Sequence, residues 1–318
     1  MKKSLRSLTI ITIIIITIIN IFDHSTAINQ TIAFAFQLFI NNVFPSLFPM
    51  FLISTMLVDI GIPEFLGNIF QNIMAKIFKT KGEASFVFFM SMITGFPSSA
   101  KYINDLMDKK LLNDKSASKI LTFTFFSNPL FIINTVGIMF LNNKKLGLLI
   151  LIAHILGNII VGLIFRKFNR TAIINNHISL KKTSKDLINK INETNIFQVL
   201  LKGIKESLNT LIMIFGIITF FLIIINLINT NLINNKIIQT IFAGLLEMTT
   251  GLKNVSLLDI PIKSKALISM AFISFGGLSV HTQIMNILQT KKVKYLPFLI
   301  ARIIHAFISV LILLLLIP

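Results

Sequence analysis

The feature that most constrains this chain is a series of long apolar stretches with very few charged residues. One of them, LGLLILIAHILGNIIVGLIF at 146–165, contains no Asp, Glu, Lys or Arg. A helix of roughly 20 apolar residues crosses the hydrocarbon core of a bilayer. With 54% hydrophobic and 13% charged residues over 318 positions, the chain lacks the polar surface of a soluble protein. The sequence therefore predicts an all-helical, multi-pass membrane protein.

The charge balance points to a membrane surface and away from nucleic acid. The chain has 30 Lys and Arg against 12 Asp and Glu, and cytoplasmic loops of membrane proteins carry such an excess. No zinc-finger spacing or RNA-binding aromatic motif accompanies it. We therefore expect the lipid bilayer, and not nucleic acid, as a partner.

The residues that usually carry chemistry are few. There is no cysteine, which excludes disulfides and thiolate metal sites. The five histidines show no metal-ligand spacing, and no G-x-S-x-G or phosphate-binding glycine loop is present. The sequence predicts no metal, no cofactor and no catalytic residues, so an enzyme is not expected.

The chain divides into four regions. Residues 1–32 comprise an apolar run at 5–22, interpreted as an uncleaved first transmembrane helix, and a short loop. Residues 33–165 form a first repeat with a connecting helix, and residues 207–318 form a second repeat. The basic stretch 166–206 between them is a linker, which the positive-inside rule places in the cytoplasm.

The two repeats are indicated by one internal alignment. MSMITGFPSSAK at 90–101 matches MAFISFGGLSVH at 270–281, an offset of 180 residues. One extra crossing, at 146–165, inverts the second half relative to the first, and inverted repeats with interrupted helices are typical of transporters. Seven lysines lie in 59–118 and seven in 230–294, so charge leaves the orientation of the second repeat open.

The first repeat contains an apolar segment that is interrupted after 84–94, a stretch too short to span a bilayer. Gly95 permits a sharp turn and Pro97 blocks continuation of the helix. We expect Ser98 and Ser99 to cap the polar helix that comes next. The sequence thus predicts a re-entrant hairpin, although Gly and Pro are also tolerated in membrane helices as packing kinks.

Two further breaks fit a polar site near the bilayer middle. One is Ser127-Asn128-Pro129, where the Asn128 amide either repairs the backbone or binds solute. The other is the Gly276-Gly277 pair, which the alignment places in a second re-entrant hairpin. Helix ends at such breaks expose N–H and C=O groups to a ligand. The predicted substrate-binding residues are Gly95, Phe96, Pro97, Ser98, Ser99, Ser127, Asn128, Pro129, Glu247, Gly276, Gly277, Ser279 and His281.

A few ionisable residues lie in or beside apolar stretches. Glu247 is the only carboxylate in GLLEMTTG; it is a functional candidate if it is inside the membrane, and is merely solvated if its helix lies at the interface. Arg302 and His305 share a helix face, and we expect Arg302 to snorkel towards the nearby helix end. We expect His154 to form a hydrogen bond between packed helices.

Five segments, at 47–67, 82–101, 126–132, 244–252 and 274–283, resemble the YlbJ family of sporulation integral membrane proteins. The resemblance extends over roughly residues 33–317. It implies a nucleoside-recognition (Gate) domain, distantly like concentrative nucleoside transporters, in the cell membrane of a sporulating bacterium. It also implies two inverted repeats, each with a re-entrant hairpin followed by a transmembrane helix. The positions that carry over are Gly95, Pro97, Asn128 and His281.

Taken together, the residues and the resemblance predict a carrier or permease for a small polar solute, with nucleoside-like compounds as one class. The alternative is a non-transporting scaffold needed for assembly of the spore envelope or cortex. A homo-oligomer is compatible with the sequence.

Overall fold

The computed structural model describes residues 22–169, 180–231 and 235–317, and within these ranges all regular structure is helical. The predicted helix at 5–22 lies outside them except for its last residue. Five helical stretches are long and apolar enough to cross a membrane, which confirms the all-helical membrane class. They are Ser25–Ile60, Lys144–Lys167, Ile196–Ile228, Ile262–Ile287 and Tyr295–Leu316.

The first half begins with a long interrupted helix. A π-helical turn, Phe39–Val43, joins α1 to α2. Gly61, at φ +95°, ends α2 in the left-handed conformation, and Pro63 in the first turn of α3 needs no N–H donor there. A second π-helical segment, Phe131–Phe140, precedes α7. The helices are α1 (Ser25–Leu38), α2 (Phe44–Ile60), α3 (Ile62–Ile77), α4 (Ala84–Thr94), α5 (Ser98–Asp108), α6 (Asp114–Ile120) and α7 (Lys144–Ile164).

The second half starts with a polar helix within the predicted linker. α10 then begins where Asn235 accepts hydrogen bonds from the N–H groups of Ile237 and Ile238, at 2.9 and 3.2 Å. The helices are α8 (Leu180–Glu193), α9 (Ile196–Asn231), α10 (Lys236–Leu246), α11 (Met248–Leu257), α12 (Ile262–Phe275), α13 (Gly277–Ile287) and α14 (Tyr295–Leu316).

Lysine-rich segments gather at one end of the helix bundle. Lys202 Nζ lies 2.9 Å from Asp59 Oδ2, which joins the start of α9 to the end of α2. Lys291, just before α14, pairs with Asp108 at the end of α5. Lys119 Nζ donates to carbonyl oxygens at 79 and 166, 2.7 Å away in each case. We call this end the basic face; it comprises residues 59–64, 76–83, 108–119, 165–169, 182–206 and 288–295.

The opposite face is defined by contacts at the other helix ends. Lys263 Nζ donates to the Ile317 carbonyl at 3.5 Å, so α12 begins where α14 ends. Lys265 Nζ donates to the Ser256 carbonyl at 2.8 Å, and Lys253 lies over the Phe34 ring, 5.5 Å from its centre. This face comprises residues 25–34, 141–145, 253–265 and 317. The helix pairs α1–α2 and α12–α13 and the helix α7 therefore run towards the basic face, and α9 and α14 run away from it.

The lysines of the second half do not stay together. Those at 291–294 lie on the basic face beside 108–119, whereas Lys263 and Lys265 lie on the opposite face. The even split counted along the sequence therefore does not correspond to two opposed faces. The basic face also carries the linker helix α8; that this face is cytoplasmic stays a prediction of the positive-inside rule.

Helices α4 and α5 form an antiparallel hairpin whose outer ends meet at the basic face. Lys81 Nζ donates to the Leu111 carbonyl at 3.2 Å across the open end. Near the turn, the Tyr102 hydroxyl bonds to Thr94 Oγ1 at 3.0 Å. The chain therefore folds back between α4 and α5, and the re-entrant placement of this hairpin in a membrane stays a prediction.

A second antiparallel hairpin lies elsewhere than the alignment suggested. It consists of α10 and α11, turns at Glu247, and opens towards the opposite face. Gly244 and Gly251 lie against each other, and a Cβ on Gly251 would clash with Gly244. The absence of both side chains allows the two arms to approach closely.

The segment α12–α13 continues past its break at Gly276 and does not fold back. Its start contacts Ile317, and near its end His281 bonds to the Tyr295 hydroxyl at 3.1 Å. It therefore runs antiparallel along α14. The predicted hairpin at 270–281 is not confirmed, because this stretch has the length and apolar content of a complete crossing.

Candidate functional site

The breaks in the helices meet around one buried, non-helical segment between α6 and the second π-helical segment. Phe125 lies in this segment and is completely buried. The ring of Phe96, at the tip of the first hairpin, stacks on it with ring centres 4.5 Å apart. On its other side, a Cβ on Gly276 would clash with Phe125. The structure thus brings the three predicted breaks together, as expected from the sequence.

At the tip of the first hairpin, Gly95 has φ +81°, and a Cβ there would lie 2.5 Å from the backbone nitrogen of Asn128. Asn128 Oδ1 accepts hydrogen bonds from the N–H groups of Leu130 and Phe131, at 2.8 and 3.3 Å. Its Nδ2 donates to the Thr94 carbonyl at 3.4 Å. The side chain of Asn128 therefore bonds to backbone groups at the helix break. This is the repair of the backbone that the sequence allowed as one role, the other being solute binding.

The two serines after Pro97 are completely buried, but neither caps a helix. Pro97 occupies the N-cap position of α5, and no side chain accepts a capping hydrogen bond there. The capping prediction is wrong because α5 begins at Ser98 itself. Both hydroxyls then lie in the first turn and not before it. The Ser99 hydroxyl has no hydrogen-bond partner within the part of the chain that the structure describes.

At the second tip, Glu247 is buried and caps α11. Its Oε1 accepts from the Thr249 N–H at 3.1 Å, and its Oε2 accepts from the Thr250 N–H and hydroxyl, both at 2.8 Å. A carboxylate in this position complements the helix dipole. Gly277 packs on the same turn, since a Cβ there would lie 3.1 Å from the Met248 nitrogen. Glu247 is therefore inside the molecule, and the alternative of a solvated residue is wrong.

Beyond the Gly276 break, polar side chains again satisfy nearby groups. His281 Nε2 lies 2.9 Å from the Phe275 carbonyl, which can only accept, so this nitrogen carries the proton. Its Nδ1 then accepts from the Tyr295 hydroxyl. Ser279 Oγ accepts from Gln283 Nε2 at 3.2 Å. The break at Gly276 frees the Phe275 carbonyl, and His281 compensates for it.

Helix α7 supports the non-helical segment with two side chains. His154 Nε2 accepts from the Ser127 N–H at 2.9 Å, and Asn158 Nδ2 donates to the Phe125 carbonyl at 2.9 Å. Pro129 lies at the start of the next helical turn, where its missing N–H is not needed. His154 forms the hydrogen bond between packed elements that the sequence predicted, and it holds one of the breaks.

Arg302 lies inside the molecule, whereas the sequence predicted that its side chain would extend to a helix end. It is completely buried, and its guanidinium lies 4.6 Å from the Phe125 ring centre. It donates to the Thr122 carbonyl, to Asn158 Oδ1 at 3.2 Å and to His305 Nδ1 at 2.8 Å. Among the described residues it forms no ion pair with a carboxylate. The expected snorkelling does not occur, because its face of α14 packs against α7.

A polar cavity of about 340 Å³ opens at the basic face between α5, α9 and α13. None of the predicted site residues lines it. Sequence patterns do not reveal this cavity, because its polar side chains come from three helices that are far apart in the chain. The lining residues are Lys101, Asn104, Asp105, Asp108, Glu206, Asn209, Thr210, Met213, Asn286 and Ile287.

Comparisons with known proteins identify one family model and one curated relative. The model of the Gate family, described as nucleoside recognition, matches residues 40–144. The chain is 32% identical over 291 residues to the sporulation integral membrane protein YlbJ of Bacillus subtilis (strain 168), which covers 83% of this chain and 71% of the relative. No solved structure matches.

Proposed function

Because the chain belongs to the family of the sporulation integral membrane protein YlbJ, we propose that it carries a small polar solute across a membrane of the sporulating cell. The Gate match at 40–144 includes the first hairpin and the non-helical segment around Phe125. The solute site in this proposal is the meeting point of the two hairpin tips and the helix breaks.

The observation that carries the proposal is the arrangement of the two hairpins. One opens towards the basic face and the other towards the opposite face. Each tip packs on the next helix break along the chain: Gly95 on Asn128, and the Glu247 turn on Gly277. In a bilayer both hairpins would be re-entrant, an architecture typical of carriers with alternating access.

The packing of helices from the two halves supports an inverted repeat. α7 and α14 pack together in opposite directions, as do α2 and α9. The first residues of α7 and α14, Lys144 and Tyr295, are 151 positions apart, and so are His154 and His305. The two histidine rings lie 4.7 Å apart. This correspondence supports an inverted repeat that pairs 84–141 with 236–287, with α4–α5 matching α10–α11.

The charge at the centre favours an anionic group on the solute. A buried cation without a counter-charge is costly in the membrane, and Arg302 has no carboxylate in ion-pair contact within the described residues. A guanidinium binds a carboxylate or phosphate through paired hydrogen bonds. Nucleotides and small carboxylates are therefore the compounds to screen first, with uncharged nucleosides as the comparison.

The test uses purified protein in detergent and in liposomes. We expect at least one screened compound to raise the melting temperature and to enter liposomes that contain the protein. Arg302→Gln should weaken that binding more than tenfold, whereas Ile303→Ala, on the lipid-facing side of α14, should not change it. If the folded protein neither binds nor takes up any of the screened compounds, the carrier proposal is contradicted.

The alternative is a scaffold, and one observation favours it. The polar groups of Asn128, Glu247 and His281 are already bonded within the chain. A scaffold would depend on its surface, including the exposed side of α8. Loss of sporulation from substitutions on α8, with no effect from Gly95→Leu, would support the scaffold.

A further inference from the structure

Lys101 lies in α5, one turn beyond the tip of the first hairpin, and its side chain is only 4% exposed. Four oxygen atoms surround its ammonium. Both Asp105 oxygens lie at 2.6 and 2.7 Å, Thr55 Oγ1 at 3.1 Å and Glu206 Oε2 at 3.3 Å. We call these four atoms the oxygen cage.

The oxygen cage resembles the surroundings of a bound monovalent cation. It contains two carboxylates and a hydroxyl, the hard oxygen donors that group I and II cations prefer. These donors come from three helices, α2, α5 and α9. An ammonium has three N–H groups that donate hydrogen bonds and no acceptor. Here the oxygen atoms of the cage accept all three of these hydrogen bonds. The single positive charge therefore joins an arm of the hairpin to two membrane helices.

We propose that Lys101 is a built-in substitute for a coupling cation. Its ammonium holds the first hairpin against α2 and α9, at the position that a bound Na⁺ or K⁺ would occupy in the oxygen cage. Once the ammonium is removed, the oxygen cage is a site for a monovalent cation. The cavity at the basic face gives ions access, since Lys101, Asp105 and Glu206 line it.

Two properties of the oxygen cage can be tested separately. The first, that it accepts a monovalent cation when Lys101 is replaced, needs no transported solute. The second, that transport by the natural protein needs no Na⁺ or K⁺, rests on the proposed function. A melting experiment tests the first and solute uptake tests the second, so failure of the carrier proposal leaves the first property intact.

The experiment measures melting temperature in detergent with NaCl, KCl, methylammonium chloride or choline chloride at equal ionic strength. We expect the natural protein to melt at the same temperature in all four salts. Lys101→Ala should melt several degrees lower in choline chloride and regain much of the loss in at least one of the other three. Choline is the negative control because it is too large for the cage.

The matched control is Lys109→Ala at the end of the same helix. Lys109 pairs with Asp59 at 2.6 Å but is 38% exposed, so its loss should not create a cation-specific site. Equal melting of Lys101→Ala in all four salts would overturn the proposal. Specific stabilisation of the natural protein by Na⁺ or K⁺ would also overturn it.

A second variant covers the case in which Lys101→Ala does not fold. Lys101→Gln keeps hydrogen-bond donors near the carboxylates without the charge, and should show the same dependence on salt. Failure of both variants to accumulate in cells, whose interior is rich in K⁺, would contradict the proposal, because an ion would then not replace the ammonium.

Discussion

Gly95 occupies a backbone position that excludes a side chain. Its φ is +81°, and a Cβ would approach the Asn128 backbone. We expect Gly95→Ala to lower the free energy of unfolding by about 1–3 kcal/mol, since strain of this kind costs that much. Thermal unfolding in detergent measures the effect. Gly216→Ala is the control, because nothing lies within 4 Å of the added carbon; a similar loss in both variants would contradict the close contact.

Asn128 repairs the break at the end of the non-helical segment. Asn128→Leu removes the acceptor for the N–H groups of Leu130 and Phe131 and should cost about 1–2 kcal/mol, the usual effect of losing a cap. Asn128→Asp keeps that acceptor and should lose less. Melting temperatures rank the three proteins. If Asn128→Leu melts like the natural protein but loses solute binding, Asn128 binds solute and is not a structural cap.

At the residue scale, the sequence located the central positions better than it assigned their roles. Glycine, proline and asparagine at breaks have local signatures, so Gly95, Asn128 and Gly276 were predicted to converge, and they do. Arg302 was misplaced because spacing shows only that it shares a face with His305. Which face turns inward depends on the packing of α7 against α14, and a local pattern does not contain that information.

The two hairpins predict a pattern of chemical labelling at the scale of elements. The chain has no cysteine, so single cysteines can be introduced without a background. Cysteines at Glu83 and Lys110 should react with an impermeant maleimide from the cytoplasmic side. Cysteines at Lys236 and Asp259 should react from the other side.

Whole cells and inside-out vesicles distinguish these two outcomes. The unmodified Cys-free chain is the control and should take up no label. Labelling of 83 and 110 from different sides, or of 236 and 259 from different sides, would show that the corresponding segment crosses the membrane.

The hairpin of α10 and α11 was not predicted from the sequence, for a physical reason. Its turn contains neither Gly nor Pro, because Glu247 makes it by capping α11. The alignment of 90–101 with 270–281 matched two apolar helices that both end at glycine. A glycine at φ > 0 allows either a fold-back or a kink. The next segment of the chain decides between them: it is a polar arm after Gly95 and the rest of an apolar crossing after Gly276.

Packing between helices of the two halves, α2 with α9 and α7 with α14, holds the whole molecule together. Residues 1–169 and 180–318, expressed as separate chains in one cell, should therefore co-purify. Gly157→Leu should reduce the recovery of the complex several-fold, because a Cβ at Gly157 would already clash with Ser309. Gly216→Leu is the matched control. Separation of the unmodified halves in mild detergent would contradict this packing.

At this scale, composition and hydropathy were sufficient for the membrane class and most of the crossings. They were not sufficient for the orientation of the second half relative to the first, because the two segments compared contain equal numbers of lysines. The three-dimensional arrangement shows which lysines share a face, since it places 291–294 beside 108–119. Long-range pairs such as Lys291 with Asp108 bring these segments together, and their partners cannot be deduced from local pattern.

The oxygen cage around Lys101 has a consequence for energetics. A carrier that contains its own positive charge at this position draws no work from a sodium or potassium gradient. Its rate of solute uptake is therefore expected to stay the same when either gradient is collapsed. For an anionic solute, the membrane potential still contributes to the driving force.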